Sequence, residues 1–207
     1  MKLDIRNLPV DGIKAELSAM GEPAFRAKQI HEWIWKKGAG SFEEMTNLSK
    51  PLREALNNRF EFRKVSIKTM QKSSDRTIKI AFSLHDDNIV EGVLIPTSTR
   101  MTACISSQVG CSLSCKFCAT GYLERQRNLD SGEIYDQVVL INKLAIEQYK
   151  IPLSNIVFMG MGEPLLNYSN VMKAIDLITH PDGLGISPQR ITVSTAGISK
   201  MIMRMGD

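Results

Sequence analysis

Cys111, Cys115 and Cys118 stand as C-x3-C-x2-C within the stretch CSLSCKFC, and Cys104 lies seven residues upstream. Thiolates are soft ligands suited to zinc and to iron–sulfur clusters. Structural zinc takes four ligands, commonly in two pairs. No fourth ligand is close here, because the chain's histidines, His31, His85 and His180, lie far off in sequence. Zinc stays open as an incomplete match. A [4Fe-4S] cluster normally takes four thiolates, so three leave one iron open. Catalytic metal sites keep such an open position for a substrate or cofactor.

Two other stretches belong beside the cysteines. GMGEP (160–164) offers glycines that let a backbone approach a ligand closely, and Glu163 offers a carboxylate for an ammonium group. Loops of this composition are often plain turns, so the stretch gains weight only from following a strand near the cysteines. VSTAG (193–197) places hydroxyls, Ser194 among them, at the end of another strand, where ligand sites collect in α/β folds.

The elements that must hold these loops can be read from apolar spacing. Residues 1–64 read as short helices. Pro23 can occupy a first turn, Ala27, Ile30, Trp33 and Ile34 share a face, and Gly38 can end that helix. Ser41 and Glu44 match a capping box. Ser49 can cap a helix with Leu52, Ala55, Leu56 and Phe60 inward. At least one of Trp33 and Trp35 is expected in the core. From 65 to 98 the period becomes two: Ile78, Ile80, Phe82 and Leu84 alternate with polar or small residues, HDDN (85–88) is a turn, and IVEGVLIP is a second strand. This is a linking β-hairpin.

From residue 99 to 207 strands and helices alternate. MTACIS, NIVFMG and RITVST read as strands. Residues 131–149, capped by Ser131, and 169–179, with Val171, Ala174, Ile175 and Ile178 inward, read as helices. Such alternation means parallel pairing with crossover helices. The class is α/β. Three strands leave unpaired edges, so further βα units are expected beyond Asp207, and the chain alone is expected to be marginally stable and prone to aggregate.

Composition fits this: 43% apolar and 23% charged residues indicate a globular chain. No apolar run approaches the roughly 20 residues of a membrane span. The N-terminus, MKLDIRNLPVDG, lacks signal-peptide features. The expected location is cytoplasmic, where thiols stay reduced and free for metal. The net charge of +4 is modest, but residues 50–79 hold nine basic against three acidic side chains. Such a stretch suits a phosphate backbone, and equally a solvated basic face.

C-x3-C-x2-C with an aromatic before the last cysteine resembles the signature of radical S-adenosylmethionine (SAM) enzymes. FRAKQIHEWIW, VEGVLIP, CISSQVGCSLSCKFCATG, VFMGMGEPLLN and ITVSTAGI together resemble the RlmN/Cfr family of radical SAM RNA methyltransferases, most closely its RlmN branch. The resemblance implies a partial (β/α)6 radical SAM barrel, of which this chain holds the first half, behind a small helical accessory domain. It implies transfer of a methyl group to C2 of an adenine in 23S ribosomal RNA and some transfer RNAs. The alternatives are a Cfr-type enzyme acting at C8, or a metal-stabilised RNA-binding module without catalysis.

The resemblance assigns roles as well. Cys111, Cys115 and Cys118 hold one [4Fe-4S] cluster. Gly162 and Glu163 contact the methionyl end of SAM, and Ser194 contacts SAM further along. Glu91 accepts the ring proton, and Cys104 releases the methylated RNA from a covalent adduct formed through a second, methyl-carrying cysteine. No cysteine follows Cys118, so this chain alone is not expected to complete the reaction. The implied partners are 23S ribosomal and transfer RNA and an electron donor such as flavodoxin or ferredoxin with its reductase. No membrane is implied, and the full-length protein is expected to be a monomer.

Overall fold

The computed structural model describes residues 2–206; Met1 and Asp207, the outer limits of the first and last expected regions, lie outside the described residues. The chain opens with a short strand β1 (Leu3–Asp4), then helices α1 (Val10–Ala19), α2 (Arg26–Trp35) and α3 (Lys50–Arg59), then β2 (Phe60–Glu61). β2 pairs in parallel with β1 and so ties the end of α3 to the start of the chain. Apolar residues three or four apart build the core between these helices: Ile13 and Leu17, Ala27, Ile30 and Ile34, Leu52 and Leu56 are all buried. Ser49 caps α3, its Oγ accepting from the Leu52 N–H at 3.4 Å.

Three local expectations need correction, while the expectation of at least one core tryptophan holds. Pro23 precedes α2 instead of opening it, and its carbonyl accepts from the Arg26 N–H at 3.1 Å. Trp35, not Trp33, is the buried tryptophan. Two residues rotate a helix by roughly 200°, which leaves Trp33 at the rim, where Nε1 donates to Asn47 Oδ1 at 2.5 Å and Lys37 lies over its ring. Ala55 is exposed. Ser41 and Glu44 do bond, Oγ to Oε1 at 3.2 Å, but no helix follows. Phe42, Met45 and Leu48 instead enter the core from consecutive turns.

The expected hairpin is three strands, β3 (Ser66–Lys72), β4 (Ile78–Ser83) and β5 (Ile89–Pro96), followed by β6 (Met101–Cys104). Pairing from β3 to β6 is antiparallel. β3 was not anticipated because its residues are mostly exposed and carry no apolar period. A two-residue ribbon, β7 (Gln108–Val109) with β8 (Arg127–Asn128), follows. Helix α4 (Ser131–Tyr149) leads to β9 (Asn155–Phe158), and helix α5 (Tyr168–Thr179) to β10 (Ile191–Val193); α6 (Ser199–Gly206) comes last. β6, β9 and β10 pair in parallel. One six-stranded sheet results, in the order β10-β9-β6-β5-β4-β3.

Alternation gives this sheet two unlike faces. Ile78, Ile80, Phe82, Val90, Leu94, Ala103, Ile156 and Phe158 are buried on the face where α4 packs, with α5 against α4. Burying each large side chain contributes about 1.5–3 kcal/mol. The opposite face carries Lys79, Glu91, Val93, Cys104 and Val157, in register from strand to strand. The cap of α4 is Asp130, not Ser131. Its carboxylate accepts from the Glu133 N–H at 2.8 Å while Glu133 Oε2 accepts from the Asp130 N–H at 3.0 Å. The helical region is joined to the sheet through α4. Arg6, buried, pairs with Asp4 at 3.2 Å and with Asp136 at 2.7 Å. Burial opposes its charge, but Asp136 and Asp4 outweigh that and keep the guanidinium protonated. Trp35 and Tyr135 meet edge-to-face, and the Tyr135 hydroxyl donates to the Trp35 carbonyl.

Candidate active site

Residues 110–126 form a loop raised on the β7–β8 ribbon, beyond the end of β6. Its own backbone shapes it. The Cys115 N–H donates to the Leu113 carbonyl at 2.8 Å, Cys118 N–H to Cys115 at 3.0 Å, and Gly121 N–H to Cys118 at 2.9 Å. These tight turns bring all three cysteines to one cavity of about 270 Å³. The thiols are free and partly exposed. Phe117, between the last two, is 94% exposed.

The far wall of the cavity is GMGEP, directly after β9. The Gly160 N–H donates to the Ile105 carbonyl at 3.0 Å, and the Met161 N–H to Ser106 Oγ at 2.8 Å. Gly162 has φ +94°, and a Cβ there would lie 2.4 Å from Gln108 Cβ. Only glycine fits both the conformation and the space. Glu163 is 4% exposed. Its Oε1 accepts from the Leu165 N–H at 3.0 Å and its Oε2 from the Ala196 N–H at 2.7 Å. The carboxylate therefore straps the loop after β10 to the loop after β9. Ser194 and Thr195 complete the wall. Cys111, Cys115, Cys118, Gly162, Glu163 and Ser194 thus share one cavity beyond the ends of three consecutive parallel strands.

The donor set fits an iron–sulfur cluster with an open position. Among the described residues, no three His, Cys, Asp or Glu side chains are drawn together around the position of a single metal ion. Three thiols lining one cavity leave the fourth place of such a cluster to another ligand.

Residues 105–205 match the model of the radical SAM superfamily, and residues 3–62 match that of the ribosomal RNA large subunit methyltransferase N-terminal domain. The chain belongs to the RlmN family. A relative from Cytophaga hutchinsonii, named a probable dual-specificity RNA methyltransferase RlmN, is 61% identical over 98% of this chain and 56% of its own length. The dual-specificity RNA methyltransferase RlmN of Geobacter sulfurreducens is 45% identical over 99% of this chain and 55% of its own. The crystal structure of a radical SAM methyltransferase from Sphaerobacter thermophilus superposes with a TM-score of 0.86 at 37% identity, covering 98% of this chain and 60% of that one. This RlmN-family chain therefore spans somewhat over half the length of the relatives it matches. The α/β class and the first part of a radical SAM fold behind a helical region agree with these matches.

Two expected site residues lie outside the cavity. Cys104 ends β6, is 9% exposed, and faces Val93 across the β5–β6 pairing. Burial pushes its thiol pKa up, partly offset by the Met159 N–H. Glu91 is exposed on β5, its carboxylate 2.8 Å from Lys79 Nζ. Glu91 and Val93 are two apart on one strand, so Glu91 and Cys104 share the uncovered face of the sheet.

Several residues that support the site escaped sequence reading. Gln108 holds the Glu163 N–H with Oε1 at 2.9 Å and donates to Asn128 Oδ1 at 2.7 Å. Asn167 donates to the carbonyls of Ser107 and Leu129. Gln137 on α4 accepts from the Ser106 N–H at 2.9 Å. Arg127 grips buried Glu133 through both terminal nitrogens, at 2.7 and 2.8 Å, and reaches Asp86 at 2.6 Å. The one signal was the polar run SSQ between the strand and the first loop cysteine.

Proposed function

We propose that the chain forms the cluster- and SAM-binding part of an RNA methyltransferase that modifies C2 of an adenine in 23S ribosomal RNA and in transfer RNA. The observation that carries this reading is the single cavity shared by three free thiols and the Gly162–Glu163 loop. Cys111, Cys115 and Cys118 hold one [4Fe-4S] cluster. The backbone at Gly162 and the Glu163 carboxylate, with lone pairs left beyond its two N–H donors, hold the ammonium end of SAM. Ser194 contacts SAM from the neighbouring loop. Bound there, the two cofactors supply one-electron chemistry, which an electron-poor ring C–H requires because it is no nucleophile.

The sheet's uncovered face does the rest. Glu91 Oε1 takes the ring proton, since its carboxylate is exposed on the sheet's uncovered face. Cys104 supplies the thiol that releases the methylated base, and burial pushes its pKa up. Residues 1–64 form the accessory domain, 65–98 the link and 99–207 the barrel portion. The cell compartment is the cytoplasm, a flavodoxin or ferredoxin with its reductase donates electrons, and the full-length protein works as a monomer.

Electron paramagnetic resonance of anaerobically reconstituted, dithionite-reduced protein tests the reading. A [4Fe-4S]⁺ signal that shifts on adding SAM is expected. Zinc without iron and sulfide, or a cluster signal indifferent to SAM, overturns it.

A further inference from the structure

The uncovered face of the sheet is nearly free of charge. Of the strand residues that alternation places there from β4 to β10, Lys79 and Glu91 alone are charged among the described residues. They pair at 2.8 Å, with side chains 54% and 48% exposed. An ion pair so exposed contributes at most about 1 kcal/mol to folding, so stability does not account for it. Its position is informative. Gln71, Lys79, Val93, Cys104, Val157 and Thr192 are successive register partners and form one straight row across six strands. Lys79 is two strands from Cys104, roughly 9–10 Å at the usual strand spacing, about the span of one nucleotide from base edge to phosphate.

We propose that Lys79 is a phosphate clamp for the substrate RNA, held ready by Glu91 until RNA arrives. This rests on the reading that RNA is the substrate and Glu91 the proton acceptor. When a base lies over Cys104 and Glu91, its phosphodiester falls near Lys79. The ammonium then trades the Glu91 carboxylate for the phosphate, and Glu91 is left unpaired beside the base. One group thereby binds RNA and releases the base for its task only when RNA is present. Among the described residues, no other cation stands on this face from β4 to β10.

The test measures binding of a fluorescein-labelled RNA hairpin with an unpaired adenosine, as a function of salt. It compares wild type, K79M, K79R, E91Q and the K79M/E91Q pair. K79M weakens binding roughly three- to tenfold and lowers the salt slope by about 0.7–0.9, the share of one phosphate contact; K79R keeps both. E91Q tightens binding roughly two- to fivefold by freeing Lys79, and that gain disappears when K79M is also present. RNA binding that is insensitive to K79M, or an E91Q gain that survives K79M, overturns the clamp alone. A wild-type protein that binds no RNA overturns the RNA reading itself, and the clamp falls with it.

Discussion

Gly162 and Gly197 form a matched pair for testing what shapes the cavity wall. Both have positive φ, +94° and +102°, but a Cβ on Gly162 would lie 2.4 Å from Gln108 Cβ and 2.8 Å from its backbone nitrogen, whereas one on Gly197 would meet nothing within 4 Å. Alanine at either position adopts a backbone disfavoured by about 1–2 kcal/mol and regains about 0.4–1 kcal/mol by restricting the unfolded chain. G197A should therefore cost about 1 kcal/mol or less. G162A adds overpacking of about 1–3 kcal/mol, and pushing Gln108 aside strains the 2.9 Å bond to the Glu163 N–H. Its total is about 2–4 kcal/mol. For a chain of this size 1 kcal/mol moves Tm by roughly 2–4 °C, so the overpacking alone should make G162A melt roughly 2–12 °C below G197A by differential scanning calorimetry. Equal melting temperatures would refute the reasoning: backbone conformation, not the closeness of Gln108, would then explain the glycine.

Three more outcomes follow from the site and its supports. In metal-free protein at neutral pH, iodoacetamide should modify Cys111, Cys115 and Cys118 at least roughly tenfold faster than Cys104, whose thiol is raised by burial; equal labelling by peptide mass spectrometry contradicts that burial. R127M removes the bidentate partner of Glu133, which is 1% exposed. Breaking a buried pair costs about 3–5 kcal/mol, with the lower end expected because His85 stays 3.2 Å away, and a Tm loss under roughly 3 °C counts against it. The Arg127 hydrogen bond, against partial burial and with help from Asn88, holds the Asp86 carboxyl well below the usual carboxylate range. Its stabilisation is thus present above the ordinary value of about 3.9 and is lost as pH falls through the lower folded value. The Tm gap between wild type and D86N should be constant above roughly pH 5 and close below about pH 4, and a gap that widens in acid would reverse the sign.

Much of this arrangement was legible because period and chemistry coincide. The apolar spacing of Ile134, Val138, Ile141 and Ala145 marked α4, and all four are buried. The alternation from Ile78 to Phe82 marked β4. Three cysteines in eight residues marked their own loop without reference to tertiary structure. What stayed hidden depends on neighbours distant in sequence. β3 is a strand because β4 offers it an edge, not because its own residues repeat. Trp33 and Trp35 are both plausible core residues until the helix's rotation against Tyr135 is known. Gln108 and Asn167 are indistinguishable from loop polar residues until β7 and the loop after β9 are seen to converge on them.

The first two turns of α4 explain why a helical accessory region and a cysteine loop occur on one chain. Side chains on a helix turn roughly 100° per residue, so Glu133 and Gln137, four apart, share one face, while Tyr135 and Asp136 point away from it. Glu133 holds Arg127 at the base of the cysteine loop. Gln137 binds Ser106, whose Oγ in turn accepts from the Met161 N–H of the loop after β9. Tyr135 bonds the Trp35 carbonyl at the end of α2. Asp136 takes Arg6 at 2.7 Å and the Val65 N–H at 3.1 Å. A shift of the helical region, bonded by Tyr135 and Asp136, must therefore be taken up by the same stretch of helix whose Glu133 and Gln137 anchor both loops of the cavity. The capping box sets where that stretch of helix begins. The helical region and both cavity loops are thus bonded to the first two turns of α4.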